Sequence, residues 1–159
     1  MTIAIYPGTF DPITNGHLDI AIRAAEMFDK VIVAVPEKSS KNTMFSFCER
    51  VALLEAVFAD VPRIQVHGYD GLTAAHAKFN GCSAMIRGLR ATSDFEYEFQ
   101  LAHINQHLAP WLDTVLLPAR TDHTFISSTM IREMIRYGTD ISPFVPPAVA
   151  AAVAAKQGA

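Results

Sequence analysis

The sequence predicts an α/β fold, a doubly wound five-stranded parallel sheet with helices on both faces. Three observations point there. Short β-branched runs alternate with longer segments of helical period, and several of those runs are apolar throughout, as strands covered on both faces must be. The alternation continues as one βαβαβαβαβα pattern with no internal repeat and no linker-like break. At 159 residues the chain reads as a single domain, 1–159, long enough to bury a real core.

The elements follow in order. Thr2 to Tyr6 is the first candidate strand, and a helix starts at about His17 with the stripe Leu18, Ala21, Ile22, Ala25 and Phe28. Val31 to Val35 is the second strand. The next helix opens on Ser46-Phe47-Cys48-Glu49, a capping box in which the serine accepts from an amide three residues on and the glutamate bonds back; its stripe is Phe47, Val51, Leu54 and Phe58. Strands at Arg63 to His67 and Ser83 to Arg87 come next. Ser93-Asp94-Phe95-Glu96 reads as a second capping box, opening a helix to about Leu108. That helix is apolar on two sides, through Phe95, Phe99 and Ala102 and through Tyr97, Leu101, Ile104 and Leu108, which suggests contact with another subunit. Thr114 to Leu117 is the fifth strand. A helix from Ser127-Ser128-Thr129 ends near Gly138, and a last one occupies about 146–157 with Pro146-Pro147 in its first turn.

Composition narrows the function classes. Hydrophobic residues are 50%, charged residues 18%, and there are 8 Gly and 9 Pro, which excludes disordered, collagenous and low-complexity chains. A net charge of -3 argues against a broad nucleic-acid-binding face but leaves room for a local basic pocket among the 13 Lys and Arg. Cys48 and Cys82 are far apart and form no ligand pattern, which suits a reducing cytoplasm. The N-terminus carries no secretory signal pattern, and the longest apolar stretch, Ala148 to Ala155, falls short of the roughly 20 residues a membrane span needs. A cytoplasmic protein with no membrane partner is expected.

The chemistry concentrates where the first strand ends, in Tyr6-Pro7-Gly8-Thr9-Phe10-Asp11-Pro12-Ile13-Thr14-Asn15-Gly16-His17. A loop between a strand's carboxyl end and a helix N-terminus offers amides and the positive end of the helix dipole to a phosphate. Neither the dinucleotide fingerprint nor the Walker P-loop is present, so other groups must read the phosphates. Gly8 lets backbone approach a ligand closely, Thr9 offers a hydroxyl, and His17 sits on the first helical turn. Gly-x-His alone would be only a tight turn with a capping histidine.

The full string is more specific. Gly8-Thr9-Phe10-Asp11-Pro12 with Thr14-Asn15-Gly16-His17 closely resembles the bacterial phosphopantetheine adenylyltransferases of the nucleotidyltransferase superfamily, with their T/HxGH motif. Three more segments fit in the same order: Arg87-Gly88-Leu89-Arg90 after the fourth strand, Asp94-Phe95-Glu96-Tyr97-Glu98 opening the long helix, and Ile126-Ser127-Ser128-Thr129 before the next one. The resemblance runs from Ile3 to Pro146. It implies a Rossmann-like fold and transfer of the adenylyl group of ATP to 4′-phosphopantetheine, giving dephospho-coenzyme A and pyrophosphate, the penultimate step of coenzyme A synthesis. In-line attack between two anions asks for positioning and cationic donors and needs no covalent enzyme intermediate.

Site residues are implied by the same resemblance. His17 donates to the α-phosphate, Thr9 touches both phosphates, and the Phe10 amide meets the nucleotide. Lys41 orients the pantetheine phosphate and bridges to the α-phosphate; read alone, it is a solvated lysine in a polar run. Arg87 is a fork for the pantetheine phosphate, with Thr73 on the adjacent wall. Gly88, Leu89 and Arg90 line the ATP side, Arg90 with a catalytic part, and Glu98 approaches the nucleotide. His123, Thr124, Phe125, Ile126, Ser127, Ser128 and Thr129 close over adenine and the β,γ-phosphates, where hydroxyls at a helix N-terminus can hold pyrophosphate while also capping the helix. Position 123 is often aromatic in relatives, so His123 departs from the pattern. Mg²⁺ is expected to arrive with ATP, held by phosphate oxygens and water, with no protein metal site. A homohexamer and feedback inhibition by coenzyme A are implied by kinship alone.

The same residues admit other roles. Arg90 and Glu98 could form a surface ion pair. His103 and His107, four apart on a helix, could chelate zinc but lack a third ligand, so a surface or interface role fits better. Met44, Phe45 and Phe95 read as core or pocket wall. A related nucleotidyltransferase with another acceptor, nicotinamide mononucleotide or glycerol phosphate, is the nearest alternative; Lys41, Thr73 and Arg87 favour pantetheine phosphate. A noncatalytic nucleotide sensor would be expected to lack His17 or Lys41, and no basic stripe with interleaved aromatics supports nucleic-acid binding.

Overall fold

The computed structural model describes residues 1–38 and 42–158. Its elements are β1 (Ile3–Pro7), α1 (Asn15–Met27), β2 (Lys30–Pro36), α2 (Phe47–Val57), β3 (Ile64–Tyr69), α3 (Thr73–Phe79), β4 (Ala84–Leu89), α4 (Thr92–Leu108), β5 (Asp113–Pro118), a 3₁₀ turn at Thr121–His123, α5 (Ser128–Arg136) and α6 (Pro147–Gln157). All strand pairs are parallel, in the order β3-β2-β1-β4-β5. Each strand overlaps its predicted run.

Period-two alternation sends Ala4, Tyr6, Val31, Val33 and Val35 into one apolar layer, and Ile5, Ile32, Ala34 and Met85 into the other. The first layer is closed by α1, α2, α5 and α6, through residues such as Ala21, Leu54, Ile131 and Val149, all 0 or 1% exposed. The second packs under α3 and the carboxyl end of α4, through Ala77, Ala109 and Leu112.

The helix starts show which local signals hold. The Ser46 box forms as written: Glu49 N–H donates to Ser46 Oγ (3.3 Å), and Ser46 N–H donates to Glu49 Oε2 (2.7 Å). Around Ser93 it does not. Here α4 begins from Ala91 with no side-chain cap, two residues before Ser93: Asp94 accepts from the Arg90 N–H (3.1 Å) across that turn, leaving Ser93 inside the helix. Likewise α1 starts at Asn15, two residues before the expected point, since Thr14 is its cap. Gly138 follows α5 with φ +66, a left-handed conformation that costs a residue without Cβ little. The short α3 has no apolar stripe that sequence reading could use.

Two core assignments separate. Phe45 is buried at 2% exposure, as expected. Phe95 is not core: it lies 44% exposed on α4 and stacks on Phe99, one turn along the same helix. Tyr97, Ile104 and Leu108 are also exposed, and Glu98 is the only buried residue of α4. Among the described residues, no helix is long and apolar enough to cross a membrane.

Candidate active site

The strand order turns at β1, which pairs with β2 on one side and β4 on the other. Chains leaving the carboxyl ends of β1 and β4 diverge there and leave a hollow. A cavity of about 340 Å³ occupies it, walled by Tyr6 to Asp11, Thr14, Gly16, His17, Arg87, Gly88, Arg90, Glu98, His123 and Ile126 to Thr129, with Asn42, Thr43 and Arg132.

The imidazole is placed by the helix start itself. His17 is the third residue of α1, and its Nδ1 accepts the Thr14 backbone N–H at 3.1 Å while its own N–H donates to Thr14 Oγ1 at 3.4 Å. This is a capping box with histidine in the usual glutamate place. Because a backbone amide can only donate, Nδ1 must be the bare nitrogen and the proton sits on Nε2. Burial, reinforced by the Arg90 charge, lowers the His17 pKa to about 4. The ring is therefore a neutral Nε2–H donor at pH 7.

Gly8 lines the cavity and also makes room for a neighbouring ring. The neighbour that comes close to it is the Phe10 ring: a Cβ at position 8 would lie 2.7 Å from Phe10 Cζ. Phe10, at φ +48, turns its ring edge-on to both Tyr6 (5.4 Å) and His17 (5.2 Å). Burial of Tyr6 raises its hydroxyl pKa, so it stays protonated.

Of the arginines, Arg87 is forked onto Glu98, Nε to Oε2 and Nη2 to Oε1, both at 2.7 Å. That bond to Glu98 raises the Arg87 pKa. Arg90 pairs with Asp94 (3.2 Å), one turn away, so the alternative Arg90–Glu98 pair does not form and Glu98 pairs with Arg87. The reason is positional: Arg87 leaves β4 facing α4, whereas Arg90 lies past the strand end. At α5, Ser127 Oγ accepts from Met130 N–H (3.1 Å), Ser128 donates to Pro12 O (2.8 Å), and Thr129 Oγ1 accepts from Arg132 (3.1 Å).

Other expected residues lie outside the cavity wall. Thr73 Oγ1 shares a hydrogen bond with the Tyr69 hydroxyl (2.7 Å) at the start of α3. Leu89 is the last residue of β4, its carbonyl accepting from Ala119 N–H (2.6 Å). Thr124 bonds back to Thr121 O, and Phe125 packs edge-on to Phe144. His123 does line the cavity, and its Nδ1 is buried without a partner among the described residues. Lys41 lies outside the described residues. His103 and His107 are exposed, His103 edge-on to Phe99. Among the described residues no set of three His, Cys, Asp or Glu is grouped to hold a metal ion.

Sequence reasoning missed three residues that hold the site. Arg50 is 2% exposed and donates to the carbonyls of Thr9 (2.8 Å) and Pro36 (3.3 Å), tying the first loop to the end of β2. Asp11 and Arg132 are the others. One signal was available for Arg50: a charge three residues after Phe47 and four before Leu54 falls within the apolar stripe of α2.

Comparison with known proteins adds lineage to this geometry. The cytidylyltransferase-like family matches residues 5–134. A curated phosphopantetheine adenylyltransferase of Thiobacillus denitrificans is 51% identical over 150 residues, 94% of each chain. A solved structure from Vibrio parahaemolyticus, provisionally assigned as a nicotinate-nucleotide adenylyltransferase, superposes with a TM-score of 0.71 over 96% of this chain and 99% of that one. At 21% identity that likeness concerns the fold alone.

Proposed function

The chain belongs to the cytidylyltransferase-like family and, within it, to the phosphopantetheine adenylyltransferases, and from this we propose how its cavity transfers the adenylyl group of ATP to 4′-phosphopantetheine. One observation carries the reading. The cavity at the strand-order switch gathers Thr9, Arg87, Arg90 and Ser127 to Thr129, from three stretches of chain, beside the neutral imidazole of His17.

A phosphate oxygen of phosphopantetheine attacks the α-phosphorus of ATP. A new P–O bond forms as the bond to the bridging oxygen breaks, and that electron pair leaves with pyrophosphate. Charge builds on the α-phosphoryl oxygens and on the leaving group. His17 Nε2–H donates to an α-phosphoryl oxygen without becoming a base, since Nδ1 is already engaged by the Thr14 amide. Arg87, held flat by Glu98, addresses the acceptor phosphate, and Thr9 stands between the two anions. Arg90 and the start of α5 receive the β,γ-phosphates. Lys41 takes the role the family resemblance implies, bridging acceptor and α-phosphate. Mg²⁺ comes with ATP as part of the substrate and neutralises phosphate charge.

The exposed apolar side chains of α4, among them Tyr97, Phe99, Ile104 and Leu108, support assembly into a homohexamer. Dephospho-coenzyme A and coenzyme A would share the acceptor side, the latter as feedback inhibitor. Residues 1–159 act as one nucleotidyltransferase domain. Soluble substrates and the two free thiols, Cys48 and Cys82, fit a cytoplasmic setting.

The test mixes purified protein with ATP, Mg²⁺ and either 4′-phosphopantetheine or nicotinamide mononucleotide. Pyrophosphate release with the first acceptor and almost none with the second is expected. The opposite preference, or release with neither, would refute the proposal.

A further inference from the structure

An anion in the wall of a phosphate-binding cavity opposes its ligands unless something ties it up. Asp11 lines the cavity and is 2% exposed. Its Oδ2 accepts the Met44 N–H at 2.7 Å and its Oδ1 the Phe45 N–H at 2.8 Å. Its carbonyl accepts from Arg132 Nη1 at 2.7 Å, and the same guanidinium lies 3.8 Å from Oδ2. Both carboxylate oxygens are thus engaged by backbone, with a cation alongside.

Those two amides belong to the segment between β2 and α2. Asn42 and Thr43, directly before Met44, form the cavity wall on that side. Asp11 itself lies between Thr9 and Thr14, the cap that fixes His17. One carboxylate therefore ties the loop that carries Thr9 and Thr14 to the segment that carries Asn42 and Thr43, and its carbonyl adds α5 as a third.

We propose that Asp11 is a positioning residue that clamps the Asn42–Thr43 wall against the His17 loop and so sets the acceptor side of the site. The inference rests on the function proposed above for the identity of the acceptor, though not for the clamp. A carboxylate is needed because two adjacent N–H donors require two acceptors. Asparagine has one, and would turn its own N–H₂ toward the second amide.

The experiment compares wild type with Asp11→Asn in steady-state kinetics and in amide hydrogen exchange at Met44 and Phe45. Expected is a fall of about tenfold or more in kcat/KM for phosphopantetheine, the scale of a misplaced substrate-positioning group, with the KM for ATP within about twofold of wild type. The two amides, slow to exchange in wild type, become fast in the variant. Equal changes in both substrates, or unprotected amides in the wild-type protein, would overturn the clamp. If Asp11→Asn does not fold, wild-type exchange at these amides decides the matter alone. If wild type releases no pyrophosphate, the proposed function falls, while exchange in the two proteins still judges Asp11.

Discussion

Thr14 and His17 bond each other reciprocally across the first turn of α1, and the bond that enters Nδ1 comes from a backbone amide that can only donate. A helix cap thereby dictates a tautomer. The same three-residue spacing that starts the helix delivers an Nε2–H to the cavity.

The pH dependence follows from that placement. In the folded protein the His17 pKa is about 4, below the usual 6.5, so between those values the unfolded chain takes up a proton that the folded protein refuses. His17 therefore contributes stability above about pH 6.5 that is lost as pH falls toward 4. NMR of the ring nitrogens should show the neutral Nε2–H form throughout pH 6 to 8. Urea midpoints at pH 7.5 and 5 should fall less for His17→Gln than for wild type. A ring that titrates near 6.5 would contradict the assignment.

Gly8 tests the aromatic support of the imidazole. A Cβ there meets Phe10 ring atoms at 2.7 and 2.8 Å, and that ring lies edge-on to His17. Gly8→Ala should cost about 1–3 kcal/mol of stability as an overpacked site. By displacing the ring under His17 it should also slow turnover about tenfold or more. Thermal unfolding and kcat measured together check this. An unchanged kcat would show that Phe10 does not position the histidine.

The Arg87–Glu98 fork separates two roles for Glu98. If the carboxylate acts by holding Arg87 flat, Glu98→Gln should raise the KM for phosphopantetheine about tenfold and leave the KM for ATP nearly unchanged. Arg87→Lys should fail to substitute, since an ammonium cannot make the paired bonds. A shift confined to the KM for ATP would instead put Glu98 on the nucleotide.

What the chain discloses before folding depends on how local the cause is. The five strands, the Ser46 box and the stop at Gly138 are written within a few neighbouring residues, and they form as read. The Ser93 box has the same serine-to-glutamate spacing and fails, because the helix already starts at Thr92, where Asp94 holds the Arg90 N–H, and Ser93 falls inside it. In the site, Thr9, His17, Arg87 and Ser127 to Thr129 were legible through their motifs, and the cavity brings them together. Illegible were the ties that hold those motifs against each other. Arg50 reaches Thr9 across 41 positions, Asp11 reaches Phe45 across 34, and Arg132 reaches Asp11 across 121. No periodicity encodes such partners. The Arg87–Glu98 fork is another such tie, its two ends 11 residues apart on β4 and α4.

A neutral His17 donating to the phosphoryl group under attack is the centre of the proposed chemistry. The direct measurement is pyrophosphate release by His17→Ala at saturating ATP and 4′-phosphopantetheine, beside circular dichroism to establish that the variant is folded. Loss of one transition-state donor predicts a kcat about 10²–10³-fold below wild type in a folded protein. A folded variant turning over at close to the wild-type rate would contradict it.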